Sequence, residues 1–181
     1  MRYFLDTEFI EDGKTIDLIS IGIVAEDGRE YYAVSTEFNP KKASDWVVEN
    51  VLNPMGIDRN GWITSPDLLS PTQKEHYLAQ RTREQIKHEI LIFCSPEKHG
   101  YPEFWSDFAA YDWVVFCQLF GTMMDLPKRF PMYCNDIRQL WNQKECPELP
   151  KQNTGEHHAL YDARWNKKAY DFLVANYPVG V

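Results

Sequence analysis

Three β-rich runs fill the first 36 residues and constrain the fold more than any other feature of the sequence. They span residues 3–9, 17–25 and 29–35. The last two runs are joined by Asp27 and Gly28, and an Asp-Gly pair between β-rich runs is typical of a tight hairpin turn. The chain is therefore predicted to begin as a sheet whose second and third strands form a hairpin.

The later part of the chain alternates between strands and helices. We predict strands over residues 103–108 and 131–134, and helices over residues 112–120, 137–143 and 158–175. Hairpin strands followed by β-α-β alternation are typical of a mixed sheet with helices packed against it. The predicted fold class is therefore α/β.

Residues 40–100 differ from both of these parts because prolines recur through them. A Thr-x-x-Gln capping box at residues 82–85, followed by Ile86 and Ile90 at helical spacing, predicts one helix there. Residues 70–73 offer a second, weaker helix start, with proline at the first helical position. We interpret residues 40–100 as a variable segment of helices and loops.

Composition places the chain among globular proteins. Its 181 residues are 44% hydrophobic, which is enough to bury a sizeable core and argues against disorder. The sequence contains no internal repeat, low-complexity tract or interdomain linker. We therefore predict one domain over residues 1–181, with the variable segment inside it.

Charge and cysteine content exclude several kinds of site. The chain carries 19 Lys and Arg against 27 Asp and Glu, and its net charge of −8 argues against a broad basic face for duplex DNA. Its 4 cysteines form no C-x-x-C pair, which argues against a structural zinc site. No uncharged apolar run approaches the roughly 18 residues of a membrane span, so we predict a cytoplasmic protein without membrane contact.

Carboxylates at strand ends are the first candidate site residues. Asp6 and Glu8 are two apart on a predicted strand, so their side chains project from the same face. Asp112 lies where a predicted strand gives way to a helix, and ligand sites in α/β sheets form at the carboxyl ends of strands. The plainer alternatives are a solvated acidic pair and a helix N-cap at Asp112.

A third acidic position lies near the C-terminus. Asp162 falls inside the last predicted helix, which has an apolar face, so an inward-pointing carboxylate there needs a partner or a metal. His157 and His158 precede it, and histidine is the residue type whose ordinary pKa near neutral pH suits a general base. The alternative is a surface aspartate beside two loop histidines.

Taken in order, these residues resemble the motifs of one enzyme class. D-x-E at positions 6–8, Asp112 before a helix and H-x-x-x-x-D at positions 157–162 are similar to the three motifs of the DEDDh, or DnaQ-like, exonucleases. Residues 1–38, the AYD sequence ending at Asp112 and the RQLW sequence at residues 138–141 are similar to the polyadenylate-specific exoribonuclease AS family.

This resemblance implies a fold and an activity. The fold is an RNase H-like mixed five-stranded sheet flanked by helices. The activity is hydrolysis of single-stranded RNA from its 3′ end, one nucleoside 5′-monophosphate at a time, with a preference for adenylate-rich ends. Two Mg²⁺ ions, which Mn²⁺ replaces, are the implied cofactors, since oxygen ligands suit both metals. The resemblance also suggests a homodimer.

The resemblance assigns roles to individual residues. Asp6 would bridge both ions, and Glu8 and Asp162 would hold the ion that activates water. Asp112 would hold mainly the second ion, and His157 would take the proton of the attacking water.

Three points remain open on the residues alone. Helix periodicity favours His158 over His157 as the base, because His158 lies four residues before Asp162. Many DEDDh enzymes carry asparagine where this chain has Phe108. Phe9 is either a stacking surface for the terminal bases or a core residue.

Two other functions share these sequence features. A DNA-directed or proofreading exonuclease of the same fold would carry the same catalytic motifs, because discrimination of RNA rests on contacts to the 2′-hydroxyl. An inactive RNA-binding module is the third possibility, although retention of all five site residues argues against it.

Overall fold

The computed structural model describes residues 1–153 and 155–177 of the chain. Strands account for much of the first third and recur later in short pieces. In chain order they are β1 (Arg2–Glu11), β2 (Ile16–Ala25), β3 (Glu30–Ser35), β4 (Ile57–Asp58), β5 (Gly61–Trp62), β6 (Gln80–Arg81), β7 (Glu103–Ser106) and β8 (Asn135–Asp136).

Six of these strands form one mixed sheet in the order β6-β3-β2-β1-β7-β8. β1, β2 and β3 pair antiparallel, which confirms the predicted hairpin, whereas β7 lies parallel to β1 and β8 parallel to β7. The expected number of five strands is wrong by one. The variable segment returns to the sheet edge, where the two residues of β6 pair in parallel with Val34 and Ser35 of β3.

Helices cover both faces of the sheet. Their α-helical parts are α1 (Asp45–Val47), α2 (Asn53–Met55), α3 (Pro71–Leu78), α4 (Arg83–Phe93), α5 (Pro96–His99), α6 (Ala110–Gln118), α7 (Ile137–Gln143) and α8 (Ala159–Asn176). A π-helical turn at Val48–Leu52 joins α1 to α2. The two predicted capping boxes are both present, at the starts of α3 and α4.

β1 is a central strand with a different helix on each face. Tyr3 and Leu5 pack with residues of α6 on one face, and Phe4 packs with Leu160 and Ala163 of α8 on the other. This alternation is the two-residue period of a strand buried on both sides. The even-numbered positions of β1 from Phe4 to Glu8 therefore lie on the α8 side, whereas Ile10, beyond a register shift after Glu8, packs with Val51 and Leu52.

Some predicted boundaries are wrong, and each has a local cause. The predicted strand at residues 131–134 is replaced by β8, since Met132 stays exposed and the ladder with β7 forms through Asn135 and Asp136. β7 ends at Ser106 because Phe108 adopts a φ of 54°, outside the β region.

The ends of the neighbouring helix differ as well. The helix predicted over residues 112–120 is α6, so Asp112 lies within its first turn and is not the N-cap. Within the described ranges, no helix has both the length and the apolarity to cross a bilayer.

Candidate active site

Three carboxylates from two elements meet at one point on the α8 face of the sheet. Asp6 and Glu8 project from β1, and Asp162 projects from the first turn of α8. One carboxylate oxygen from each of the three residues lies within 4.8 Å of the others. This is the spacing at which oxygen ligands can share a cation.

The approach of α8 to the sheet brings these residues together. Gly22 of β2 lies directly across from Asp6, and the backbone of Ala159 sits over it. The buried side chain of Asn166 donates a hydrogen bond of 2.9 Å to the Leu5 carbonyl, which fixes α8 along β1. Asp162 lies between these two anchor points in sequence.

Electrostatic repulsion is concentrated in the three-carboxylate cluster. Burial, followed by the charges of Asp112, Glu8 and Asp162, raises the pKa of Asp6 well above its usual range. Burial, followed by the charges of Asp162 and Asp112, also raises the pKa of Glu8. No Lys or Arg among the described residues forms an ion pair with any member of the cluster. Like charges held this close favour either protonation or a bound cation.

Asp162 is oriented by a neighbouring amide. The Gln152 side chain donates a hydrogen bond of 2.6 Å to Asp162 Oδ1. Burial raises the pKa of Asp162, and this hydrogen bond opposes the shift. A hydrogen bond to one oxygen leaves the other carboxylate oxygen for a ligand.

Asp112 approaches the cluster from α6 and lines the same depression as Asp6, Glu8, His157 and Asp162. Its Oδ1 accepts hydrogen bonds from the Thr7 backbone N–H at 2.9 Å and from Thr7 Oγ1 at 2.6 Å. Its Oδ2 accepts one from Ser106 Oγ at 2.6 Å. Burial raises the pKa of Asp112 to about 6, and the bonds from Ser106 and Thr7 oppose that shift. Asp112 is close enough to influence Asp6 but is not one of the three clustered carboxylates.

The two adjacent histidines occupy different environments. His157 is half-buried, adopts a φ of 65° and lines the depression that contains Asp6 and Asp162. Its ring makes an edge contact with exposed Trp46 of α1, at 4.8 Å between ring centroids. His157 is therefore the histidine that faces the carboxylates.

His158 is buried and caps α8. Its Nδ1 accepts a hydrogen bond of 3.3 Å from the Leu160 N–H, and its ring packs against Tyr32 and His76 at 4.6 and 4.7 Å. Burial, reinforced by His76, lowers the pKa of His158 to about 4. The helix starts at Ala159, so His158 lies outside the range in which helix periodicity applies.

Phe9 makes contacts that fit both interpretations of its role. It packs against the core on the α6 face and stacks on Tyr111 with centroids 5.8 Å apart and planes 7° apart. Phe9 remains partly exposed and also lines the depression beside Glu8.

Sequence reasoning missed an ion pair at the rim of the site. Asp107 and Arg138 approach at 2.7 Å and share a hydrogen bond of 2.8 Å, and both line the depression with Asp6. One signal was present in the sequence. Arg138 falls in the first turn of a predicted helix, where a positive charge is unfavourable because it lies at the positive end of the helix dipole. An arginine at that position therefore indicates an acidic partner elsewhere in the chain.

Comparison with known proteins identifies relatives along almost the entire chain. Residues 1–174 match the family model described as "3'-5' exoribonuclease Rv2179c-like domain". Two Mycobacterium tuberculosis proteins, 3'-5' exoribonuclease Rv2179c of strain H37Rv and 3'-5' exoribonuclease MT2234.1 of strain CDC 1551, are each 42% identical over 180 residues. The alignments cover 99% of this chain and 97% of each relative.

A solved structure gives a much weaker match. The chain described as "Structure of yeast NOT1 MIF4G domain co-crystallized with CAF1" aligns with 98% of this chain and 81% of its own length. The sequence identity is 11% and the TM-score is 0.46.

Proposed function

Because the chain belongs to the Rv2179c-like 3′-5′ exoribonuclease domain family, we propose that it is a metal-dependent enzyme that releases nucleoside 5′-monophosphates from single-stranded RNA. The observation that carries the proposal is the close approach of Asp6, Glu8 and Asp162. Within the described part of the chain no Lys or Arg pairs with these three acids, and such a set of carboxylates is the kind of donor set that hard divalent cations require.

The donor set fits magnesium or manganese. All of the candidate ligands are carboxylate oxygens, and Asp6 and Glu8 repel each other when no cation is bound. We assign Asp6, Glu8 and Asp162 to one ion, and Asp6 and Asp112 to a second. Bound divalent ions would supply the charge that stabilises the scissile phosphate in the transition state.

The chain's own residues account for proton transfer and ligand orientation. His157 lines the depression together with the carboxylates, so we assign it the role of taking the proton from the attacking water. Gln152 holds the Asp162 carboxylate, and Asp112 holds the β1 backbone through Thr7. The water oxygen bonds to phosphorus as the P–O3′ bond breaks, so the released nucleotide carries a 5′-phosphate. The O3′ left on the shortened strand takes up a proton from solvent and becomes the new 3′-hydroxyl.

Charge and shape support a single-stranded substrate. The net charge of −8 disfavours broad contact with a duplex backbone. The site is open and carries aromatic side chains on its rim, including Phe9 and Phe108, and such rings stack on unpaired bases. The preference for adenylate-rich 3′ ends, the homodimer and the cytoplasmic location are proposals that rest on the sequence features and resemblance described above.

Nucleotide release from 3′-labelled homopolymers tests the function. Oligo(A), oligo(U), oligo(C) and oligo(dA) are digested at matched salt with Mg²⁺, with Mn²⁺ and with EDTA. We expect release of labelled 5′-monophosphate from RNA only when a divalent ion is present, fastest from oligo(A). Equal or faster digestion of oligo(dA) would favour a DNA-directed exonuclease, and binding of RNA without release would indicate an inactive module.

A further inference from the structure

Phe108 combines backbone strain with exposure at the rim of the active site. Its φ is 54°, a region that phenylalanine rarely adopts, and its side chain is 66% exposed. A large apolar side chain in a strained, exposed position contributes little to the core. Strain of this kind persists where the surrounding structure imposes it and is concentrated at functional sites.

The residues on both sides of Phe108 are tied down. Asp107 pairs with Arg138, and the backbone N–H of Ala109 donates a hydrogen bond of 3.1 Å to Asp136 Oδ2. Both partners lie at the start of α7. The turn between β7 and α6 is therefore fixed at two points, and Phe108 is held between them.

One face of the Phe108 ring is covered and the other is open. The Arg138 guanidinium lies 4.9 Å from the ring centroid, and its pairing with Asp107 holds it there. Since the side chain remains mostly exposed, the opposite ring face is available to a planar ligand. The Arg138 guanidinium thus orients the Phe108 ring from one face and leaves the other face open to a ligand.

The same residue borders the carboxylate cluster on two sides. Phe108 lines a depression with Asp6, His157 and Asp162, and it also lines the adjoining depression that contains Glu8. A phosphodiester placed over the carboxylates would bring its flanking nucleotides within reach of this ring.

We propose that the open face of Phe108 stacks on a nucleobase that flanks the scissile phosphate. The proposal rests on the proposed function, because the ligand is the RNA strand in that site. Stacking on one aromatic side chain tolerates any base, so the role of Phe108 is to position the strand.

Replacement of Phe108 separates stability from substrate binding. Phe108→Asn removes the ring and introduces a residue that tolerates positive φ, so its Tm should equal or exceed that of the wild type, by up to about 4 °C. Its kcat/KM on oligo(A) should fall about 5-fold to 100-fold, mainly through KM. Phe108→Tyr should behave like the wild type because it keeps the ring.

Tyr101 provides a matched control. It is 68% exposed, has the Arg129 guanidinium 5.8 Å from its ring centroid, and precedes β7, whereas Phe108 follows it. Tyr101→Asn should leave kcat/KM unchanged. Wild-type kcat/KM in Phe108→Asn, or an equal loss in Tyr101→Asn, would overturn the stacking role.

An abasic substrate series identifies the stacked nucleotide. Wild type and Phe108→Asn are each assayed on oligo(A) with an abasic ribose at the terminal or the penultimate position. The proposal expects one abasic position to slow the wild type but to cause little further loss in Phe108→Asn. Independent, multiplicative losses at both positions would overturn it.

The same series distinguishes the two levels of the proposal. If the wild type digests intact oligo(A) but the losses caused by the abasic positions and by Phe108→Asn are independent, the stacking role is wrong and the proposed exoribonuclease activity still stands. Absence of RNA binding and digestion by the wild type removes both.

Discussion

Gly22 lies directly beneath the backbone of Ala159, at the point where α8 meets the sheet. A Cβ atom at Gly22 would come within 3.0 Å of the Ala159 carbonyl oxygen, a separation that real Cβ atoms essentially never show. Gly22 also pairs with Asp6 across β1 and β2. The absence of a side chain at one position therefore sets the distance between the carboxylates of β1 and Asp162 of α8.

Gly22→Ala should displace α8 and separate the carboxylates. Because backbone atoms fill the required space, we expect overpacking to cost about 1 to 3 kcal/mol of stability, with a large loss of turnover. Thermal unfolding and RNA digestion measure the two effects. Gly28→Ala serves as control, since its Cβ meets nothing within 4 Å but its φ is 90°. The Gly28→Ala variant should lose stability, but its folded molecules should keep full activity. The same result for Gly22→Ala would show that activity does not need the close approach of α8 to β2.

Asp162→Asn should abolish most turnover while preserving the fold. The substitution removes one negative charge from the proposed cation site, so the loss should reach several orders of magnitude in kcat. Asp171→Asn is the matched control, because Asp171 lies on the same helix in an exposed ion pair with Lys167. Digestion of oligo(A) at saturating Mg²⁺ provides the measurement. Turnover close to wild type in Asp162→Asn would contradict the site assignment.

The contribution of the buried carboxylates to stability without divalent ions should fall as pH rises. The pKa values of Asp6, Glu8 and Asp112 are raised in the folded protein, so the folded state binds more protons than the unfolded state. The contribution of these carboxylates is greatest at low pH and declines from about pH 4, through about pH 6 for Asp112. The buried histidines His76 and His158, whose pKa values are lowered to about 4, contribute in the opposite direction between about pH 4 and pH 6.5.

Thermal unfolding across pH in EDTA and in Mg²⁺ measures this effect. We expect Mg²⁺ to restore much of the lost Tm at neutral pH, because a bound cation favours the ionised cluster. The double variant Asp6→Asn and Glu8→Gln lacks two of the raised carboxylates, so its Tm in EDTA should increase relative to that of the wild type as pH rises, and it should respond little to Mg²⁺. A difference in Tm between the wild type and the double variant that stays constant from pH 4 to pH 7 in EDTA would contradict the raised pKa values.

Thr7→Val should weaken the connection between Asp112 and β1. The substitution keeps the side-chain shape but removes the hydroxyl that bonds to Oδ1, which should cost about 1.5 to 3 kcal/mol, as for hydrogen bonds to charged groups. Turnover should fall too, since Thr7 lies between Asp6 and Glu8. Thr7→Ser keeps the hydroxyl and should retain most of both properties. Equal stability of the Val and Ser variants in urea unfolding would argue against this role.

The two histidines should fail in different ways. His157→Ala should lose kcat with little change in Tm, and the acidic limb of its pH–rate profile should disappear, because the residue faces the carboxylates as a base. His158→Ala should lower Tm by removing a helix cap and a buried ring, at a cost of about 1 kcal/mol or more. A loss of kcat in His158→Ala as large as that in His157→Ala would overturn this division of roles.

Local geometry made part of the site predictable from the sequence. The period of a strand places Asp6 and Glu8 on one face regardless of what packs there. The amphipathic pattern of α8 likewise located Asp162 within a helix. The hairpin and both capping boxes depend on neighbouring residues and were predicted for the same reason.

Contacts between segments distant in sequence determined the remaining features of the site, namely the position of Asp112 and the different roles of the two histidines. Asp112 bonds to Thr7 across 105 positions of sequence, and no local pattern indicates that α6 brings it into the same depression as Asp162. Helix periodicity favoured His158, but α8 begins only at Ala159, so His158 is a cap and His157 faces the site.

The sequence by itself determined the order of the main elements, the sheet class and the residues that carry charge, because these follow from backbone periodicity and turn chemistry. Only the tertiary structure decided how closely α8 approaches β2 at Gly22, and that Arg138 lies beneath an exposed Phe108. The physical reason is that packing distances and ion pairs depend on segments far apart in the chain. The energies of these contacts depend on how the segments pack together in the folded core, so they cannot be read from any one segment.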